Sequence, residues 1–127
     1  MSFLGYDGRM RKNRLTECNP RWATRDEHVC YLIFDCPEGH TDCSHAIPFK
    51  PALDGAAITH ASASWDRQGD TFETLTLSPS IRRIQRYPNR EAAIAAGCIP
   101  EHVTESMFCA LHIFIKDGAI EFCGDSK

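Results

Sequence analysis

Short apolar runs, broken by turn residues, recur along the chain, and only one stretch has helical character. Val29-Cys30-Tyr31-Leu32-Ile33-Phe34 is rich in β-formers and predicts a buried strand. Pro37, Gly39 and Asp42 then mark a turn or knuckle. Ala46-Ile47-Pro48-Phe49 predicts a return strand, with Pro48 arguing for an edge or an early end. Lys50 to Gly55 reads as a loop, Ala57 to Trp65 as a strand, and Asp66 to Asp70 as a turn. Phe72 to Leu77 is strand-like, Ser78-Pro79-Ser80 breaks it, and Ile81 to Tyr87 extends again. The helix spans Asn89 to Gly97: Asn89 suits the N-cap, alanines fill the body, and Gly97 suits the position after the end. Leu111 to Ile115 and Ala119 to Phe122 flank Lys116-Asp117-Gly118, a strong hairpin signal.

These elements predict a mainly β fold. A small antiparallel β-sandwich or partly open barrel, with one short helix and a metal-clipped knuckle, fits them. Residues 1–27 are polar and weakly patterned and read as a basic N-terminal arm; residues 28–127 read as a single zinc-binding β-domain.

At 127 residues the chain has the length of one domain, enough to bury a core. Hydrophobic residues make up 43% and charged residues 24%, ordinary values for a globular protein. The net charge of -3 does not suggest a polyanionic partner for the whole chain. The distribution is uneven, however. Arg9, Arg11, Lys12, Arg14, Arg21 and Arg25 crowd the first quarter, opposed there by Asp7 and Glu17. Such an arm suits contact with nucleic acid or an acidic protein surface, or simply solvent. The N-terminus lacks the apolar core of a secretory signal, and no apolar run is long enough to span a membrane. The expected location is a cytoplasm, that of a host cell, with a virion as the alternative.

Seven cysteines are many for this length. In a reducing compartment, clustered cysteines read as metal ligands before disulfides. Two bursts stand out: Cys36 to His45, holding Cys36, His40, Cys43 and His45, and Cys109 to His112. Zinc takes four ligands from thiolates and imidazoles, commonly in pairs from two chain segments. On a strand Cys43 and His45 face one side. Cys109 and His112 are three apart and would face opposite sides, so joint ligation needs Cys109 in a bend before the strand. The candidate ligands are Cys36, Cys43, Cys109 and His112, with His45 close behind and His40 last. Cys30 and Cys98 read as buried apolar residues, Cys18 and Cys123 as either; His28, His60 and His102 read as non-ligands.

Four protein ligands would close the site and make one zinc ion structural rather than catalytic. A catalytic zinc would need an open position and a base such as Glu38, Asp42 or Glu105. The chain has no HExxH, GxSxG, phosphate-binding glycine loop or dinucleotide fingerprint. Ser78-Pro79-Ser80 invites a nucleophile reading, but Pro beside Ser reads more simply as a strand terminator. No residue is assigned a catalytic or cofactor-binding role on these grounds.

Three segments together resemble a known pattern. They are Cys36-Pro37 with Cys43 and His45-Ala46-Ile47-Pro48; Trp65, Gly69-Asp70 and Thr76-Leu77-Ser78-Pro79-Ser80-Ile81; and Cys109 with His112 through Phe122. Their order resembles a group of small, uncharacterised phage and prophage proteins often labelled "ammonia monooxygenase". It also resembles a related bacterial domain of unknown function carrying CPCGCGH, LxPSI and CxSHFWIxxG. The likeness spans roughly residues 31–123. It implies a zinc-binding β-domain of phage origin with Cys36, Cys43, Cys109 and His112 as ligands and His45 as a further candidate.

The function expected from this reading is a phage-encoded, non-enzymatic accessory protein that binds a host or phage macromolecule, for example in counter-defence. A virion-associated capsid or tail protein and a zinc-dependent hydrolase are the alternatives. The expected partner is a protein, with nucleic acid as a second possibility through the basic arm and no membrane.

Overall fold

The computed structural model describes residues 10–40, 43–87, 89–103 and 108–127. Seven strands lie in one sheet in sequence order: β1 (Arg21–Arg25), β2 (His28–Asp35), β3 (Ser44–Lys50), β4 (Trp65–Gln68), β5 (Thr76–Arg86), β6 (Phe108–Lys116) and β7 (Ala119–Phe122). All neighbours are antiparallel except β3 and β4, which run parallel through Phe49↔Trp65 and Lys50↔Asp66. The fold is thus mainly β, a mostly antiparallel open sheet with a single α-helix, α1 (Arg90–Ala95), among the described residues.

Period-2 alternation places the core. In β6, Cys109, Leu111, Ile113 and Ile115 are buried while the residues between them are half-buried. They meet Leu32 and Phe34 of β2, Ile47 and Phe49 of β3, and Leu77 and Ile81 of β5 in one cluster. The far edge of the sheet is not left bare. The segment before β1 lies against the β6–β7 turn, where the Leu15 amide donates to the Gly118 carbonyl at 2.8 Å and the Ile120 amide to the Asn13 carbonyl at 2.8 Å.

That contact corrects the expectation of a free basic arm. Residues 1–9 lie outside the described residues, but from Met10 onward the segment belongs to the fold. Arg11 pairs with Glu38, Arg21 with Asp35, and Arg25 donates to the Thr59 carbonyl. β1 joins β2 through Asp26 and Glu27, both with positive φ (54° and 69°), as a two-residue hairpin requires.

Other boundaries shift as well. The strand expected over Ala57 to Trp65 begins only at Trp65 and continues through the expected turn to Gln68. Ser78-Pro79-Ser80 does not end a strand: β5 runs on to Arg86, and the triplet forms a bulge. Three residues between Leu77 and Ile81 oppose a single residue, Phe114, between Ile115 and Ile113. The helix and the β6–β7 hairpin lie where expected. The Asn89 side chain accepts from the Ala92 amide at 2.8 Å, capping α1. Among the described residues no helix is long and apolar enough to cross a membrane.

Candidate functional site

The two faces of β6 carry different chemistry. On the inner face, at the rim of the core, the knuckle after β2 brings three buried thiols and an imidazole together. The Cys36 amide donates to the Cys43 carbonyl at 2.9 Å and the Gly39 amide to the Cys36 carbonyl at 3.0 Å, folding the knuckle back on itself. Cys36 Sγ lies 3.7 Å from Cys109 Sγ and 3.4 Å from His40 Nδ1. One ligand atom each from Cys36, His40, Cys43 and Cys109 falls within 4.8 Å of every other, so these four residues could hold a metal ion. His45 Nε2 stands 3.6 Å from both Cys43 Sγ and Cys109 Sγ, on the flank of the group. An open depression edged by Lys12, Asp35, Gly39 and Ser44 reaches the cluster and supplies an entry path.

The sulfurs are too close to act independently. The hydrogen bond from Cys109 is the largest cause lowering both Cys36, to about 7, and Cys43. Cys109 moves the opposite way, because it keeps the proton shared with Cys36 and Cys43. A bound cation would replace the protons that these three crowded thiols share. Cys18, outside the group, is simply pushed up to about 12 by burial.

His112 is not in this cluster. β6 is regular from Phe108 to Lys116, so residues 109 and 112 face opposite sides, and the described strand has no bend that turns Cys109 round to meet His112. His40, ranked last from the sequence, lies where His112 was expected.

His112 instead occupies the outer face, between two other side chains. Its Nδ1 lies 2.7 Å from Asp125 Oδ1, and its Nε2 lies 3.2 Å from Ser80 Oγ. A carboxylate only accepts, so Nδ1 carries the proton and Nε2 presents its lone pair to the serine hydroxyl. Each partner arrives by a departure from regular strand geometry. The β5 bulge delivers Ser80, and its backbone carbonyl is fixed by Trp65 Nε1 at 3.0 Å. Beyond β7 the chain stays beside β6: the Cys123 amide donates to the His112 carbonyl at 2.9 Å, and Ala110 and Lys127 exchange two backbone bonds. Between those anchors Asp125 swings over the outer face toward His112.

The His112 hydrogen bond, the largest cause, holds the Asp125 carboxyl below its ordinary value, and the Arg82 guanidinium 3.3 Å from Oδ2 adds to this. The His112 side chain is only 22% exposed, whereas Asp125 is 52% exposed.

Sequence reasoning weighed Ser80 and set it aside, assigned His112 to the metal, and gave Asp125 no role. No local motif joins positions 80, 112 and 125. The signal available was the Ser-Pro-Ser triplet inside an otherwise continuous β-forming run.

A hydroxyl, an imidazole and a carboxylate in relay, here on the outer face of a β-sheet, resemble the side-chain arrangement that serine hydrolases use. The chain belongs to the family of bacterial ubiquitination-like system serine proteases (BubE), whose family model matches residues 9–123. No curated protein and no solved structure matches the chain. The family overturns the expectation of a non-enzymatic phage accessory protein.

Proposed function

We propose that this protein is a serine peptidase of a bacterial ubiquitination-like system, with Ser80 as nucleophile, His112 as general base and then acid, and Asp125 as the carboxylate that orients His112. The observation that carries this reading is the placement of His112 between Ser80 Oγ and Asp125 Oδ1, at 3.2 and 2.7 Å, in a chain of the serine protease family. Ser80 Oγ would attack the scissile carbonyl carbon while His112 Nε2 takes the hydroxyl proton. His112 then returns that proton to the leaving amine as the C–N bond breaks. His112 Nε2 then takes a proton from water as the water oxygen attacks the Ser80 ester, and returns it to Ser80 Oγ as the acyl–oxygen bond breaks, which frees the carboxylate product. Asp125 stays ionised and stabilises the imidazolium throughout.

The inner-face cluster complements this as a structural zinc site. Tetrahedral zinc with bonds of about 2.3 Å to sulfur and 2.0–2.1 Å to nitrogen has S···S edges of about 3.8 Å and S···N edges of about 3.6 Å. The separations of 3.7 Å for Cys36 to Cys109 and 3.4 Å for Cys36 to His40 fit those edges. Cys36, His40, Cys43 and Cys109 would complete four-coordination, leaving no position for a catalytic water.

A peptide library read by mass spectrometry tests the enzymatic reading. The wild-type protein is expected to generate new peptide termini, and Ser80→Ala to generate none. Cleavage that survives Ser80→Ala would overturn it.

A further inference from the structure

We propose that Glu38, carried on the cysteine knuckle, is a positioning residue for catalysis: it holds Ser126 and through it sets Asp125 on His112. This rests on the reading of Ser80, His112 and Asp125 as the catalytic group. Glu38 is 2% exposed, an unusual burial for a carboxylate. It lies between two residues of the metal cluster, Cys36 and His40, yet its side chain points away to other partners. Arg11 Nε and Nη2 bind its two oxygens at 2.8 and 3.0 Å, a bidentate pair.

The Ser126 hydroxyl donates to Glu38 Oε2 at 2.6 Å and accepts from the His112 backbone amide at 3.0 Å. Arg11 Nη2 also donates to the Ser126 carbonyl at 3.1 Å. Ser126, itself 4% exposed, is therefore gripped from three directions. It is also the residue that follows Asp125. Gly124 and Asp125 form a turn closed by the Ser126 amide, which donates to the Cys123 carbonyl at 3.0 Å, so fixing Ser126 pins the turn that carries Asp125 to His112. The exposed Asp125 has little packing of its own to hold it. A positional error of about 1 Å in a catalytic group can cost on the order of 100-fold in rate. The inner-face knuckle and the outer-face site are thus one mechanical unit, joined by Glu38, Ser126 and Arg11.

Turnover of a peptide that the wild-type protein cleaves, together with labelling by a fluorophosphonate probe, tests this in Ser126→Ala, Ser126→Thr and Glu38→Gln. Native mass spectrometry and circular dichroism on the same samples report bound metal and folding. Ser126→Ala and Glu38→Gln are expected to keep metal and fold while kcat and the labelling rate fall about 10- to 100-fold with KM unchanged. Ser126→Thr, which retains the hydroxyl, is expected to recover most of the loss. The far-downfield proton resonance of the His112–Asp125 hydrogen bond is expected to weaken with Ser126→Ala and return with Ser126→Thr. If folded Ser126→Ala turns over at the wild-type rate, or activity falls only in step with the folded fraction, the proposal is overturned. A wild-type protein that is not labelled at Ser80 would instead sink the underlying catalytic reading.

Discussion

At the residue scale, one histidine decides the interpretation. His112 offers two nitrogens, and both are taken on the outer face, one by Asp125 and one by Ser80. In the sequence it stands three places after a cysteine, which invites a metal reading. Strand parity separates them. The rule that positions three apart on a strand face opposite sides was already visible, and it applies without the exception that joint ligation needed. Asp125 had no comparable signal, because its role depends on how the tail folds back along β6. Asp125→Asn is expected to lower kcat by roughly 10³- to 10⁴-fold, since the amide favours the wrong imidazole tautomer. The same variant should leave bound metal unchanged. Steady-state cleavage with native mass spectrometry checks both; loss of metal with Asp125→Asn would contradict the separation of the two sites.

At the element scale, irregularities place the chemistry. The β5 bulge presents Ser80, and a shorter tail excursion presents Asp125. A proline-flanked serine looked like a stop because proline removes a ladder donor; the bulge absorbs that missing donor and the strand resumes. β1 was illegible for a different reason, since its hairpin turn is Asp26-Glu27 and lacks the usual glycine. The β6–β7 hairpin was legible because Gly118 marks it. Gly118 has φ +72°, and a Cβ there would come within 2.6 Å of the Phe72 carbonyl oxygen and 2.7 Å of that of Glu73. Its carbonyl also receives the Leu15 amide. Gly118→Ala is expected to destabilise the fold by about 1–3 kcal/mol from conformation alone, with the backbone contacts adding to this. Urea denaturation measures it, and an unchanged midpoint would count against this account of the turn.

At the scale of the whole molecule, the sheet separates two candidate sites by face and links them through Arg11, Glu38 and Ser126. Segments near both ends converge on Glu38, which explains why a basic segment read as an arm is part of the structure. The mainly β architecture, the helix and the cysteine knuckle were legible from local patterns. The Ser80, His112 and Asp125 site was not, because it exists only after strands β5 and β6 and the tail are placed side by side.

Metal binding should follow the proton inventory of the cluster. Cys36, lowered to about 7, holds its proton below that pH, and the raised Cys109 holds its proton through neutrality. A metal ion bound by these thiolates would displace the Cys109 proton across this range, and the Cys36 proton as well below pH about 7. Affinity is expected to fall by about tenfold per pH unit for each proton displaced, so the fall steepens below neutrality. Competition with a chromophoric chelator across pH 6 to 8 measures the slope. A pH-independent affinity would contradict the ligand assignment. Binding coupled to folding, on the order of 10 kcal/mol, also makes chelation strongly destabilising.

The central claim is that Ser80 is an activated nucleophile, and covalent labelling with a fluorophosphonate, mapped by peptide mass spectrometry, tests it most directly. The expected result is one adduct per chain, located on Ser80, abolished by Ser80→Ala and greatly slowed by His112→Ala. A folded protein that takes up no label, or takes it up at another residue, would contradict the account.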